Sequence, residues 1–174
     1  MTHAPPDIRP LAADPATLDA LTALLVETVA AGGSVGFMHP LATASARAFW
    51  QHALTDAERG GRIVLGAFRG DELAGTVTLL LGLPENQPHR AEIAKMMTAP
   101  AHRGRGIARA LLMQAEALAR AHGRTLLVLD TAAQDGAAGL YEKHGFRFAG
   151  EIPDFALKPH GGLTATRLYF KQLV

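Results

Sequence analysis

Residues 107–119 carry apolar side chains at the spacing of an amphipathic helix, the clearest pattern in the chain. The stripe consists of Ile107, Leu111, Ala115 and Leu118, widened by Ala108, Leu112 and Ala119. Gly123 ends this helix. A glycine-rich bend, Arg103 to Ala108, precedes it, and an apolar strand, Arg90 to Thr98, leads into the bend. The middle of the chain is therefore predicted to be a strand, a tight turn and a long helix.

The rest of the chain alternates between helical and extended patterns. Asp14 and Pro15 fit the N-cap and first turn of a helix that reaches Ala30. Further helices are predicted over Thr43–Arg59 and Asp135–His144. The predicted strands are Asp7–Leu11, Arg62–Phe68, Leu73–Leu83, Arg90–Thr98, Arg124–Asp130, Phe146–Glu151 and Ala165–Gln172. A proline- and glycine-containing loop is expected over Ile152–Thr164, and the whole order of elements indicates a mixed α/β fold.

Composition narrows the class of protein. The 174 residues suit one domain, 1–174, and the net charge of +1 argues against general nucleic-acid binding. The chain contains no cysteine, which excludes disulfides and thiolate catalysis, and its eight histidines lack metal-ligand spacing, so no metal is expected. No apolar run approaches a membrane span, and MTHAPPDIRP lacks the apolar core of a signal peptide. We therefore expect a cytoplasmic protein with no membrane partner.

The bend has the properties of an anion site. Its glycines allow close backbone approach, its amides lack intrahelical partners, and the helix dipole favours a phosphate. Arg103 and Arg105 add positive charge. A Walker loop is excluded because no Gly-Lys-Ser/Thr triplet occurs, and Arg109 stands where a dinucleotide fingerprint needs a small residue. The remaining common solution is R-x-x-G-x-A, formed by Arg103, Gly106 and Ala108.

This motif resembles that of the GNAT superfamily of acyl-CoA-dependent acyltransferases. Two segments strengthen the resemblance: Ala91-Glu92-Ile93 in the preceding strand, and Leu140 to Phe146, which looks like the second signature of the family. The resemblance implies a GNAT fold with a mixed, mostly antiparallel sheet of about seven strands flanked by about four helices. It also implies acetyl-CoA as cosubstrate.

A closer resemblance, to the tabtoxin-resistance acetyltransferases, rests on five short segments. They are Glu27–Val29, Ser34–Met38, Arg90–Glu92, Leu129–Thr131 and Tyr169–Lys171. The acceptor implied is a small molecule, including a β-lactam toxin of the tabtoxin type. Acetylation of an amino acid, polyamine or peptide N-terminus and a non-catalytic acyl-CoA sensor stay open, as does a homodimer.

The resemblance assigns coenzyme A contacts to three parts of the chain. The pyrophosphate would lie on Arg103, Gly104, Arg105, Gly106, Ile107 and Ala108. The backbone of Met96, Met97 and Thr98 would pair with the pantetheine arm, where the strand splays away from Arg124–Asp130. Gln134 replaces an asparagine that many relatives use to hold this arm, and Lys143 either reaches a phosphate or is a solvated surface charge.

Acetyl transfer to an amine needs a base, because an amine with a pKa of roughly 10 is mostly protonated at neutral pH. Glu92 and Asp130 are the candidates, with ion pairing to Arg62, Arg90 or Lys95 and capping as the respective alternatives. Strand alternation puts Glu92 on one face with Ala94 and Met96, opposite Ala91, Ile93 and Lys95. The resemblance implies that the Tyr141 hydroxyl lies near the thioester sulfur, where it could protonate the thiolate, and packing with a polar tip is the alternative for this residue.

Two segments are expected to wall the acceptor pocket. The first is the glycine-rich stretch with Ser34, Phe37 and Met38, which serves either as a lid or as an anchor onto the core. The second is the predicted loop Ile152–Thr164, which contributes Phe155.

Overall fold

A seven-stranded sheet with helices on both faces forms the centre of the computed structural model, which describes residues 5–134 and 137–173. The strands are β1 (Asp7–Pro10), β2 (Arg62–Arg69), β3 (Glu72–Leu80), β4 (Arg90–Thr98), β5 (Leu126–Ala132), β6 (Arg147–Leu157) and β7 (Leu163–Gln172). The helices are α1 (Pro15–Ala30), α2 (Thr43–Glu58), α3 (Ile107–Ala121) and α4 (Ala138–Lys143), with a 3₁₀ turn at Pro100–His102. This confirms the predicted mixed sheet with four helices.

The strand order is β1-β2-β3-β4-β5-β7-β6. Adjacent strands are antiparallel apart from β4 and β5, which run parallel and are joined by the crossover through α3. The parallel pair therefore lies inside the sheet, and the carboxyl ends of both its strands point to the same edge.

Because side chains alternate along each strand, the sheet contributes to one apolar cluster on each of its faces. Val64 faces α1 and α2 with the fully buried Trp50, whereas its neighbour Leu65 faces α3. The N-terminus of α3 lies very close to β3, because a Cβ on Gly75 would come within 2.8 Å of Ile107 Cγ2. Gly75 thus permits the packing that holds the start of α3 against the sheet.

Some predicted boundaries shift by a few residues. The third strand ends at Leu80 rather than Leu83, and α2 ends at Glu58 rather than Arg59. The helix predicted from Asp135 begins at Ala138 among the described residues, and Asp135 and Gly136 lie outside them.

The loop predicted over Ile152–Thr164 is wrong. β6 continues to Leu157 and β7 begins at Leu163, so only residues 158–162 form the turn. A bulge makes this possible, since Ile152 pairs with Thr166 and Ala156 with Thr164, leaving three residues of β6 opposite one of β7. β6 is also an edge strand, where Pro153 can lack an N–H group without breaking a ladder.

The predicted alternation of β4 is wrong from Lys95 onward. Thr78 pairs with Ala94 and Thr76 with Met97, so Lys95 and Met96 together oppose Val77 in a β-bulge. The bulge inverts the faces: Met96 packs against the α3 cluster, whereas Met97 joins the α1–α2 cluster. Glu92 and Met96 therefore face opposite sides of the sheet.

Candidate active site

β4 and β5 separate at the middle of the sheet and open a cavity. Their pairing covers Arg90↔Leu126, Ala91↔Leu127 and Glu92↔Val128 and then stops, although both strands continue. The splay predicted from the sequence is present, with a cavity of about 390 Å³ beside it. The β4 backbone beyond Glu92 has no strand partner on this side, so an extended ligand could pair with it.

Three of the predicted site residues line this cavity from three different elements. Glu92 comes from β4, Asp130 from the carboxyl-terminal half of β5, and Tyr141 from α4. Both acidic residues therefore border the space that opens where the two parallel strands separate.

Glu92 forms an ion pair with Arg90, two residues earlier on the same strand. Its side chain is 36% exposed. Of the alternatives set out for this residue, the ion pair is therefore present, and with Arg90 rather than with Arg62 or Lys95. The pair neutralises Glu92 and fixes its direction while leaving it at the cavity wall.

Asp130 has a different environment. It accepts a hydrogen bond of 2.9 Å from the Thr166 hydroxyl on the adjacent β7, and it is exposed. Within the described part of the chain no cation lies within ion-pair distance of its carboxylate. Asp130 is thus oriented through Thr166, and its second oxygen can meet a ligand.

Tyr141 is 4% exposed and packs edge-on against Phe146, with ring centroids 5.8 Å apart. Burial, assisted by the negative charge of Asp130, raises the pKa of Tyr141 to about 12. The hydroxyl therefore keeps its proton throughout the physiological range, and it is available as a hydrogen-bond donor.

Lys95 also lines the cavity, and the sequence reasoning did not assign it to the site. Its backbone is left-handed, with φ of 52°, which costs a side-chain-bearing residue about 1 kcal/mol. A signal was present: strict alternation would have buried this lysine with Ala91 and Ile93 against α3. That conflict between charge and burial is typical of a bulge.

The bend before α3 has the amide arrangement that its sequence predicts. Gly104 and Gly106 have φ of 73° and 76°, and the first helical hydrogen bond runs from Ala110 N to Gly106 O. The N–H groups of residues 104–109 donate to no backbone acceptor in the described ranges. Arg103 to Gly106 are exposed, so a group of unpaired amides at a helix N-terminus is open to an anion from solvent.

The other predicted coenzyme A residues are spread around this region. Met96 lines the cavity, Met97 is buried against α1 and α2, and Thr98 is half-buried at the end of β4. Gln134 and Lys143 are exposed and do not line the cavity. The structure brings none of Arg103 to Ala108 into the cavity wall itself.

Of the residues predicted to wall the acceptor pocket, some line the cavity and one does not. Ser34, Phe37 and Phe155 line the cavity, whereas Met38 is 46% exposed and does not. Phe37 packs edge-on against Phe49 with centroids 5.2 Å apart, which supports the anchoring role rather than a lid. Phe155 lies on β6, not in a loop, and is 55% exposed.

The loop that carries Phe37 is also fixed to the β6–β7 turn. His39 N donates to Pro159 O at 2.9 Å, and the rings of His39 and His160 lie 4.4 Å apart. His160 Nε2 lies 2.9 Å from Ala30 O at the end of α1. Two walls of the cavity are therefore tied to each other.

The described ranges contain no group of three or more acidic or histidine side chains arranged to hold a metal ion. None of the helices in these ranges combines the length and apolar character that a membrane crossing requires.

The Acetyltransferase (GNAT) family profile matches residues 33–146, which include β4, the bend, α3, β5 and α4. The chain therefore belongs to the Acetyltransferase (GNAT) family. The prediction of an acetyl-CoA-dependent acyltransferase, with acetyl-CoA as cosubstrate, is confirmed.

Solved structures with the same fold cover nearly the whole chain. A ribosomal-protein-alanine N-acetyltransferase from Brucella melitensis is 27% identical, with a TM-score of 0.80 over 95% of this chain and 99% of that chain. A phosphinothricin acetyltransferase from Sinorhizobium meliloti, solved with AcCoA, is 21% identical, with a TM-score of 0.82 over 99% and 89%. The protein yncA from Salmonella typhimurium, solved with its cofactor acetyl-CoA, is 21% identical, with a TM-score of 0.78 over 96% and 94%.

Proposed function

We propose that the protein transfers the acetyl group of acetyl-CoA to an amine or hydroxyl of a small molecule bound in the cavity between β4 and β5. One observation carries the proposal: Glu92, Asp130 and Tyr141 line a single cavity at the point where the two parallel strands separate. Acids near an acceptor and a hydroxyl near a leaving group are what acyl transfer requires.

The chain has a suitable place for the diphosphate and for the pantetheine arm of coenzyme A. The amides of residues 104–109 would hold the diphosphate, with Arg103 and Arg105 at the rim. The unpaired side of β4, from Met96 to Thr98, would hydrogen-bond the pantetheine arm. Bound in this way, acetyl-CoA supplies an acetyl thioester, and transfer forms a C–N or C–O bond to the acceptor and releases coenzyme A as its thiol.

Asp130 is the base in this proposal. Its carboxylate is oriented by Thr166 and has no ion-pair partner in the described chain, so it can take the acceptor's proton directly or through a water molecule. Glu92 is held by Arg90 and serves to orient the acceptor. The two acids thus differ in role because they differ in pairing.

Tyr141 would stabilise the departing sulfur. An alkyl thiol has a pKa of roughly 8.5, far below the value of about 12 for Tyr141. Complete proton transfer to the thiolate is therefore uphill, and the hydroxyl acts by donating a hydrogen bond. The thiolate regains its proton from solvent or from the protonated base.

The tabtoxin type of β-lactam toxin is the specific acceptor that the sequence resemblance suggests. Its support is the set of matching segments, which include Ser34 to Phe37 and Asp130 at the cavity wall. The fold shared with a phosphinothricin acetyltransferase is compatible with a small toxic acceptor, and phosphinothricin belongs in the same assay.

The experiment has two stages. Calorimetry first measures coenzyme A binding, and a thiol-release assay then tests purified protein with acetyl-CoA and a panel of amines and hydroxyl compounds, including a hydroxylated β-lactam amino acid. Glu92→Gln and Asp130→Asn should each lower turnover and leave the Kd for acetyl-CoA nearly unchanged. Full turnover in both variants would refute the role of the acids. Binding of acetyl-CoA without thiol release from any acceptor would favour the sensor.

A further inference from the structure

Lys95 reaches the cavity because the bulge turns it away from the α3 core. Its Nζ lies 5.6 Å from the centroid of the Phe49 ring and 3.5 Å from the position that a Cβ on Gly36 would occupy. The ammonium group is therefore placed between β4 and the Ser34–Phe37 loop, at the wall expected to meet the acceptor.

Among the described residues, this cation has no counter-ion beside it. No carboxylate of residues 5–134 or 137–173 lies within 4.0 Å of Lys95 Nζ, and the Glu92 carboxylate is paired with Arg90. Burial lowers the pKa of Lys95, the charge of Asp130 opposes that effect, and Arg62 adds to it. A ligand anion beside Nζ would stabilise the charged form and relieve the cost of burying an unpaired cation.

The same cavity holds the opposite charge on its other strand. Asp130 lies on β5, on the far side of the gap, and it too lacks an ion-pair partner in the described chain. The cavity thus offers one cation and one anion that come from diverging strands and remain unpaired with each other.

We infer that Lys95 binds an anionic group of the acceptor and that the acceptor is a small amino acid or amino carboxylate, with its carboxylate on Lys95 and its amine toward Asp130. This inference rests on the proposed function and names the acceptor class. Lys95 acts in it as a specificity-determining residue of the acetyl transfer.

Other acceptor classes fit these charges less well. A polyamine would bring a second cation against Lys95, and a neutral amine would leave the ammonium without a partner. A zwitterion satisfies both charges and keeps the cavity near neutrality. Phe37 and Phe155 then provide apolar surface for the rest of the molecule.

The test compares amino acids with their own carboxamides, which keep the amine and lose the negative charge. The twenty amino acids and their amides are assayed by thiol release with the wild-type protein, Lys95→Met, Lys95→Arg and the control Lys158→Met. Lys158 is a half-buried lysine of the β6–β7 turn and does not line the cavity.

We expect the wild type to prefer the acid over the amide. Lys95→Met should lower kcat/KM for the acid about 10- to 100-fold, the range for losing a hydrogen bond to a charged group. It should change kcat/KM for the amide little, so the preference collapses. Lys95→Arg should retain part of the preference, and Lys158→Met all of it.

Several results would overturn the inference while leaving the acetyltransferase proposal intact. They are equal use of acid and amide by the wild type, an equal loss on both substrates in Lys95→Met, or acetylation of other amines with none of the amino acids used. The first result is read from the wild type alone, so it does not depend on how the variants fold. If coenzyme A fails to bind, the proposed function itself is refuted.

Discussion

At the scale of single residues, the titratable groups of the cavity have different chemical environments. Glu92 is neutralised by Arg90, Asp130 is exposed and oriented by a hydroxyl, and Tyr141 is buried among aromatic rings. In the proposed mechanism these surroundings give each group a different role: Glu92 orients the acceptor, Asp130 takes its proton, and Tyr141 donates a hydrogen bond to the sulfur.

Replacing Tyr141 with phenylalanine removes the hydroxyl and keeps the packing with Phe146. We expect kcat to fall by about 10²-fold, a typical loss for a general acid or strong donor. The Kd for acetyl-CoA and the thermal stability should change little. Steady-state kinetics and calorimetry measure these quantities.

The other tyrosine of the chain provides the control. Tyr169 is buried and donates to Glu142 at 3.2 Å, outside the cavity wall. Tyr169→Phe should leave kcat unchanged, and an equal loss in both variants would point to general damage.

Because the pKa of Tyr141 is raised from 10.0 to about 12, the Tyr141 hydroxyl loses its proton at a lower pH in the unfolded state than in the folded state. The free energy of unfolding should therefore fall as the pH rises from 10 toward 12, while Tyr141 causes no loss of activity near neutrality.

We expect Thr166 to act as a positioning residue for Asp130. Thr166→Val keeps the shape and removes the 2.9 Å hydrogen bond, so we expect kcat to fall about 3- to 10-fold through a poorly oriented carboxylate. In the Asp130→Asn background the same substitution should have almost no further effect. A double-mutant cycle in kcat measures this coupling, and additive losses would show that Thr166 acts elsewhere.

Glu92, Asp130 and Tyr141, which line the cavity, could be singled out from the sequence as candidates because each is marked locally. The marks are a lone acid in an apolar strand, a strand end and a family signature. For Lys95 the sequence carried only an indirect signal, a charge that strict alternation would bury, because the direction of this side chain depends on how β4 registers with β3. A bulge adds one residue to a strand and reverses every side chain after it. This is a pairwise property that no single segment contains.

At the scale of elements, the proposed diphosphate site depends on the left-handed backbone of the bend before α3. Gly106→Ala adds a Cβ where φ is 76° and no other atom lies within 4 Å. The substitution should cost about 1 kcal/mol of stability. It should also raise the Kd for coenzyme A at least about tenfold, because the phosphate would meet the methyl group.

Gly70→Ala is the matched control for this prediction. Gly70 has φ of 60° in the β2–β3 turn and is equally open. It should lose similar stability in urea unfolding while keeping the Kd for coenzyme A. A similar Kd in Gly106→Ala and wild type would show that the bend does not hold the diphosphate.

The helices and inner strands could be predicted from apolar periodicity and caps, as Asp14 shows by accepting from Thr17 N at 2.9 Å. The outer hairpin could not. In a strand with neighbours on both sides, Pro153 and the nearby glycines would break the pairing, so they indicate a loop. β6 has only one neighbouring strand, and a bulge of three residues against one accommodates them. Strand order decides whether a proline is tolerated, and strand order is not local.

At the scale of the whole molecule, the gap between β4 and β5 lies between elements from both faces of the sheet. The bend belongs to α3 on one face, whereas Phe37 and Lys95 approach Phe49 in the cluster on the other face. β7 supplies Thr166 and β6 supplies Phe155. A ligand spanning the gap therefore contacts elements that are distant in sequence, and its binding should stabilise the fold as a unit.

This leads to a prediction for unfolding. A ligand that binds only the native state adds RT ln(1 + [L]/Kd), or about 2.7 kcal/mol at 100 times Kd. Trp50, the single tryptophan, lies on α2 and is fully buried in the α1–α2 cluster, so its fluorescence in urea reports the transition far from the bend. We expect coenzyme A to move the Trp50 transition by that amount in the wild type. Gly106→Ala should shift less at the same coenzyme A concentration, since its Kd is higher. An unchanged Trp50 transition, with coenzyme A shown to be bound, would mean that the α1–α2 layer unfolds independently of the bend.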